Sequence, residues 1–414
     1  MRTIKVSQLF KIVIYILTLY VLGFDKIITL PGNSLLHDAI IAMLGLFLAL
    51  YVKQKCFSNQ YLRSQCKPLS GYLRIYFIII VITMMYSLVA YGYSLTQILI
   101  ITRKYFYVLY TYPIMYIFTM DDDIFEFIKG IYWTSMVLLI IKAITWYLYN
   151  FRGITIFPGL LLQYSEGWTR NGLMRMDAGA LFGIILCLTL YYCMVKKQLF
   201  YWIMLAFIYL YLIFVTQFRF QIIVSIILTI YCYYCASNSS KKKTLRFIIF
   251  ILSGGLDYLL DLFSLNGVQK GSTEARLLTI DHYWNLIKTK NAILGVGFLS
   301  SYTNKAFDIL RRSDVDRFWL EDLGILGGFF TFGVMSLVLY GKLFYASIKK
   351  AIFFCSNRMI NYESYVFVKS IVIYMILSCV LLNIFDAQRI WGIPFYLSII
   401  FFVKIHQKNY KGEN

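Results

Sequence analysis

Charged side chains are scarce in this sequence, at 14% of 414 residues, where a soluble domain carries about a quarter. The hydrophobic 60% falls in long blocks. Period-two alternation is missing from those blocks, which excludes the strands of a β-barrel. Several blocks reach about twenty residues, the length a helix needs to cross the hydrocarbon core. Only helices or closed barrels satisfy their backbone polar groups in lipid. The fold expected is therefore all-α, a polytopic transmembrane helical bundle, with residues 1–414 forming a single integral membrane domain and no soluble domain at either end. No small-residue cleavage site follows the first apolar run, so that run is expected to be a spanning helix and not a signal peptide. No glycine-rich phosphate loop, nucleophile elbow or zinc-binding helix motif is present. That excludes nucleoside-triphosphate machinery, and any energy must come from an activated substrate or a gradient. Most of the eight cysteines, among them Cys187, Cys193, Cys232, Cys235 and Cys379, lie within apolar stretches and lack zinc-ligand spacing. They read as small apolar residues, and no metal or cofactor is expected.

Length and charged breaks predict about twelve spans, at 9–24, 35–52, 73–91, 96–120, 124–149, 178–195, 199–215, 220–236, 245–265, 318–346, 365–385 and 390–404. The fourth is interrupted by Arg103 and Lys104. Residues 53–74 read as a basic loop, and Thr216-Gln217-Phe218-Arg219 as a tight turn. Two larger loops, about 150–177 and 266–316, remain, the latter expected to contain short helices. The formal charge of +20 would suggest nucleic acid in a soluble protein. Here the basic residues sit in short segments between apolar blocks, as the positive-inside rule and anionic headgroups require. With the amino terminus in the cytoplasm, residues 2–5, 53–74, 196–197, 241–246, 349–358 and 404–411 fall on that side. The short segments on the other side hold only Lys26, Arg219 and Arg389. The acidic turn at Asp121–Asp123 is the one short segment that disagrees. Both termini are then cytoplasmic and both large loops external.

Four arginines in or beside the external segments are candidates for chemistry: Arg170, Arg175, Arg219 and Arg276. Arg219 sits at a membrane boundary, where a charge must snorkel, pair or face water. Arg170 and Arg276, taken singly, read as solvated loop residues. Converging guanidinium forks would suit a lipid diphosphate. The acidic candidates are Asp257 and Asp261, one helical turn apart, and Asp314, Asp316, Glu321 and Asp322 at the entry to the tenth span. Any of the latter four could act as a general base, and a solvated rim is the commoner meaning. Lys142, mid-span, requires a partner. His282 reads as an ordinary residue on an amphipathic helix marked by Leu277, Leu278, Tyr283, Trp284 and Ile287.

Several of these segments resemble those of the O-antigen polymerase and O-antigen ligase superfamily. Thr273-Glu274-Ala275-Arg276, then Trp284, then Ile293-Leu294-Gly295-Val296-Gly297-Phe298 resembles its large external loop. Thr216 to Arg219 is similar to its threonine-to-arginine step, and Arg170-Asn171-Gly172 to its earlier arginine–glycine element. Glu321-Asp322-Leu323-Gly324-Ile325-Leu326-Gly327 resembles the acidic-to-glycine opening of a late helix. Ligases carry a histidine–asparagine pair about ten residues before that late glycine. Here Ser313-Asp314-Val315-Asp316 has no histidine, which favours a polymerase. The resemblance implies a polymerase of O-antigen or capsule repeat units in the bacterial cytoplasmic membrane, moving a growing glycan from undecaprenyl diphosphate to a new lipid-linked unit. Its catalytic residues would be Arg219, Arg276, Glu321 and Asp322, and its substrate-binding residues Arg170, Arg175, Trp284 and Asp314. It implies no cofactor, and as partners the lipid-linked oligosaccharide, membrane lipids and a chain-length regulator, with no nucleic acid. The alternatives are a ligase and a non-enzymatic flippase. A flippase also uses about twelve helices, but transporters show internal repeats that are not visible here.

Overall fold

Backbone polar groups in hydrocarbon must bond within their own segment, and the apolar blocks do so as helices. The computed structural model describes residues 6–28, 34–120, 124–161, 169–170, 172–236, 270–289, 292–311, 318–356, 362–382, 384–386 and 389–402. The first half comprises α1 (Val6–Leu22), α2 (Phe24–Ile28), α3 (Ser34–Ser58), α4 (Gln60–Tyr91), α5 (Leu95–Thr102), a 3-10 segment (Arg103–Tyr110), α6 (Thr111–Met120) and α7 (Ile124–Arg152). A short α8 (Pro158–Leu161) follows, then a hairpin of β1 (Thr169–Arg170) and β2 (Leu173–Met174). Next come α9 (Phe182–Leu190) and α10 (Leu199–Leu210), each extended by a π-helical turn, and α11 (Arg219–Ala236). The last third holds α12 (Lys270–Thr289), α13 (Asn304–Leu310), a 3-10 turn (Leu320–Leu323), α14 (Ile325–Phe332), α15 (Met335–Ser356), α16 (Tyr362–Leu381) and α17 (Ile393–Phe401).

Four helical stretches are long and apolar enough to cross a membrane: Leu35–Ser58, Gln60–Tyr91, Phe125–Arg152 and Leu199–Thr216. Their outward faces carry bare apolar side chains; Val89, for example, is 81% exposed. A continuous apolar surface of this kind is a liability in water and the norm in lipid. The core they enclose is aromatic, with Tyr76, Tyr107, Tyr110, Tyr132 and Phe182 fully buried.

Twelve uninterrupted spans are not what the described residues show. Five further apolar helices, Gln8–Tyr20, Phe182–Met194, Arg219–Cys235, Val366–Val380 and Ile390–Phe401, are too short to qualify. The ninth expected span, 245–265, lies outside the described residues. The fourth is in three pieces because Arg103 leaves the α-helical register to pair with the buried Asp38 (2.7 Å), whose carboxylate also accepts from the Tyr20 hydroxyl. The tenth is broken at Gly333, where φ is +61°. Ending α14 there strands carbonyls that would otherwise need partners in a water-poor setting. The Gly295-Val296-Gly297 turn supplies them: Val296 N–H donates to Phe330 O (2.7 Å) and Gly297 N–H to Thr331 O (3.0 Å). Both glycines hold positive φ, and a Cβ at Gly295 would meet the Phe330 and Thr331 carbonyls. Residues 53–74 are not a loop either. α3 and α4 run through them with only Asn59 between, and Asn59 Oδ1 caps α4 by accepting from Leu62 N–H (2.9 Å).

Candidate functional site

The loop after the hairpin is pinned from below by α7. Asn150 Oδ1 accepts from Met174 N–H (2.8 Å), and the Trp146 indole donates to Met174 O (2.6 Å). Met176 N–H then bonds Val215 O at the end of α10 (3.1 Å), and the Tyr211 hydroxyl bonds Asp177 O (2.9 Å). Lys142, whose partner the sequence left unnamed, holds Asp177 Oδ1 at 2.6 Å and is itself only 4% exposed at the side chain. Residues 173–180 thus lie as a fixed strap over the ends of α7 and α10.

The hairpin ahead of this strap aims Arg170 at the step between α10 and α11. Arg170 Nη1 donates to Gln217 O (2.6 Å). Gln217 is in the left-handed region at φ +52°, which non-glycine residues rarely adopt. The expected tight turn is therefore present, and it delivers Arg219 as the first residue of α11. The pKa of Arg170 is pushed down to about 10, first by burial and then by the guanidinium groups of Arg175, Arg219 and Arg276. Arg175, Arg219 and Arg276, as far as 106 positions away in sequence, thus lie within electrostatic reach of Arg170. Burial lowers the pKa of Arg175 too, and the carboxylate of Asp322 opposes that shift.

Asp322 and Glu321 enter from the 3-10 turn Leu320–Leu323. Both are fixed by Arg389, which donates from Nη1 to Glu321 O (2.9 Å) and pairs through Nη2 with Asp322 Oδ1 (3.3 Å). Gly324, at φ +58°, follows, with the Val380 and Cys379 carbonyls so close that a Cβ would collide with them. The turn is thereby seated against α16. Beneath lies a cavity of about 130 Å³, lined by Asp177, Gly179, Thr216, Gln221, Tyr374, Ser378, Arg389 and Tyr396 among others. Thr216 Oγ1 is buried with no hydrogen-bond partner among the described residues.

Of the residues expected to act, Arg175, Arg219 and Arg276 lie within electrostatic reach of Arg170, and Asp322 lies within that of Arg175. Trp284 does not share these contacts. It is half-exposed on α12 and packs against Phe329 (6.3 Å) and Phe330 (6.4 Å), with Lys288 Nζ 5.8 Å from its ring centroid. Eight residues separate it from Arg276, about 12 Å along a helix. Asp314, Asp316, Asp257, Asp261 and the Asp121–Asp123 turn lie outside the described residues. His282, read from the sequence as an ordinary residue of an amphipathic helix, stacks on Phe318 (4.0 Å) with Nε2 on Ile309 O (3.0 Å), and burial lowers its pKa. Arg389, the fifth guanidinium, was counted only as a topological charge. Its position on the side that basic residues avoid was the signal. Among the described residues no group of three or more His, Cys, Asp or Glu gathers to hold a metal ion.

Five guanidinium groups and the Lys142 ammonium, set against the carboxylates of Asp177, Glu321, Asp322 and Asp386, leave the region positive. The depressed pKa of Arg170 means that its charge is penalised there, and an anion in the cluster would remove the penalty. α11 adds the positive end of its dipole at Arg219. No protein-family model and no curated protein sequence matches the chain.

Proposed function

We propose that this chain is a polysaccharide polymerase of the bacterial cytoplasmic membrane, transferring a growing glycan from undecaprenyl diphosphate to a new lipid-linked repeat unit. The observation that carries the reading is that Arg175, Arg219 and Arg276 all lie within electrostatic reach of Arg170, with the Arg389-held Asp322 within reach of Arg175. The acceptor hydroxyl attacks the anomeric carbon of the growing chain and the bond from that carbon to the diphosphate oxygen breaks. The hydroxyl proton passes to a carboxylate of the Glu321–Asp322 pair. Negative charge builds on the departing diphosphate, and the arginine forks stabilise it more in the transition state than in the ground state. The bonds of Arg170 to Gln217 O and of Arg389 to Glu321 O hold two of these guanidinium groups before the charge develops.

The same reading sets the cluster on the outer face of the membrane and both termini in the cytoplasm. Lys53, Lys55, Arg63, Lys67 and Arg74 at the α3–α4 junction support this orientation through the positive-inside rule. Lys53, Lys55, Arg63 and Lys67 stand toward the opposite end of α4 from Tyr91, whose hydroxyl bonds Val296 O in the 292–300 loop, and Arg74 lies near the middle of that helix. The test is incubation of purified protein with one defined lipid-linked repeat unit. Longer lipid-linked chains are the expected product. Transfer to a lipid A core would make the protein a ligase, and no covalent change would leave a flippase.

A further inference from the structure

The basic end of α3 and α4 is more than a topological marker. A cavity of about 1070 Å³ opens between these helices, the 3-10 segment Arg103–Tyr110 and α6. This is at the top of the roughly 300–1,000 Å³ range of small-ligand pockets. Along α4, one face reads Arg63, Lys67, Ser70, Arg74, Phe77 and Val81, at alternating steps of four and three residues, so all six line the same stripe. The stripe is cationic up to Arg74 and apolar from Phe77 onward. Lys53 joins the cationic end from α3, its Nζ 5.4 Å from the Tyr112 ring, and the Tyr112 hydroxyl donates to Ser70 Oγ (3.0 Å). Leu46, Ile78, Ile82 and Phe106 widen the apolar end, and among the described residues no carboxylate lines the cavity. Ile78 is 51% exposed and Ile82 39%, although both face this space.

We propose that this groove binds an anionic phospholipid, with the headgroup phosphate among Lys53, Arg63, Lys67 and Arg74 and an acyl chain along Phe77, Ile78, Val81 and Ile82. Charge complementarity decides the occupant. Four cations with no acid select an anion, and the apolar run beginning one helical turn beyond Arg74 requires a tail attached to it. A second copy of the same face would bring cations against cations, and the residues beyond 402 are themselves basic, with Lys404, Lys408 and Lys411. A free phosphate or phosphorylated metabolite would leave the trough uncovered. The proposal rests on the membrane character of the chain and not on the polymerase reading, so either can fail without the other.

Cys56 lines the same groove and is a free thiol, which makes it a local reporter. The full-length protein in neutral detergent is alkylated with a maleimide, and the rate at Cys56 is followed by peptide mapping. The probes are dioleoyl phosphatidylglycerol, dioleoyl phosphatidylcholine and glycerol 3-phosphate, each variant being compared with itself without addition. Phosphatidylglycerol should slow alkylation of Cys56 by at least about fivefold, the worth of one cation near an anionic headgroup. Phosphatidylcholine and glycerol 3-phosphate should leave the rate nearly unchanged. The double variant Lys67→Gln/Arg74→Gln should lose the protection, and so should Ile78→Trp, which fills the trough at an exposed position and keeps every charge. Equal protection by phosphatidylcholine would reduce the groove to ordinary boundary lipid. Protection by glycerol 3-phosphate would make it a soluble-anion site. Undiminished protection in both variants would remove the proposed residues. Each of these results overturns the proposal.

Discussion

Two basic regions lie at opposite ends of this bundle, and they are built differently. At the α3–α4 junction, lysines and arginines mix along exposed helix faces, and Arg63, Lys67 and Arg74 each face outward. Around Gln217 the cations are partly buried arginines, with Lys142 fully buried on Asp177. They are also tethered to backbone, as Arg170 is to Gln217 O and Arg389 to Glu321 O. The first arrangement costs little, because water and headgroups screen exposed charges. The second carries a burial cost and, after it, a repulsion among guanidinium groups, both of which lower the pKa of Arg170. A fold that maintains such repulsion on fixed elements has a use for an anion there. Charge sign alone therefore says little, and burial with fork geometry separates a site from a surface.

The sharpest way to break the comparison is to exchange arginine for lysine in both regions. Arg219→Lys and Arg276→Lys should each lose about 2–4 kcal/mol of transition-state stabilisation, measured as polymerisation rate at matched protein level. Arg74→Lys, in the exposed region, should stay within about 0.5 kcal/mol of wild type in stability and leave the rate unchanged. Next in size is the strap. Asp177→Asn leaves the buried Lys142 ammonium without its carboxylate and should cost about 2 kcal/mol of stability, read by thermal unfolding in detergent. Glu321→Gln and Asp322→Asn should reduce polymer yield with no loss of protein, and Arg389→Gln should mimic them by releasing the turn. Its thermal cost should stay under about 1 kcal/mol, because the Arg389–Asp322 pair is partly exposed.

A pH test sharpens the contrast further. Arg170 has a folded-state pKa below its unfolded value, so more protons bind the unfolded chain between about 10 and the ordinary arginine range. Stability from this group is therefore lowest at and below pH 10 and recovers only above it, so the penalty is fully present at neutral pH. Inorganic diphosphate at neutral pH should offset it. Saturation to 100 times Kd would add about 2.7 kcal/mol to the unfolding free energy, and Arg170→Gln should shrink that gain. The smallest signal is positional. In a background without cysteine, Lys305→Cys should react with an impermeant reagent on intact cells, and Lys67→Cys only after lysis.

Local features of this architecture were open to a sequence reading, and long-range ones were not. Apolar block length identifies Leu35–Ser58 and Gln60–Tyr91 as spans, because composition over twenty residues decides the solvent. The turn at Thr216–Arg219 is legible for the same reason: a polar step between two apolar blocks has nowhere else to go. The expected arginines were chosen for their side of the membrane, and the hairpin and α12 bring them together. The break at Arg103 was legible as a charge inside an apolar block, whereas the one at Gly333 was not. Whether Gly333 kinks or ends a helix depends on whether the Gly295–Gly297 turn is there to receive the freed carbonyls, about forty residues earlier in the chain. Lys142 and Asp177 are 35 residues apart, and Arg389 lies 67 from Asp322, beyond the reach of any local pattern. Trp284 was assigned to substrate on motif order alone, and packing against Phe329 and Phe330 is what its contacts show.

The most direct test of the central claim is a gel of lipid-linked glycan made by purified protein from a single defined repeat unit. Wild type and the Arg219→Lys/Arg276→Lys double variant are run side by side at equal amounts in the same lipid. The account predicts a ladder of lengthened lipid-linked chains from the wild type and almost none from the lysine variant. A full ladder from both would contradict the diphosphate clamp, and unlengthened substrate from the wild type would contradict the polymerase itself.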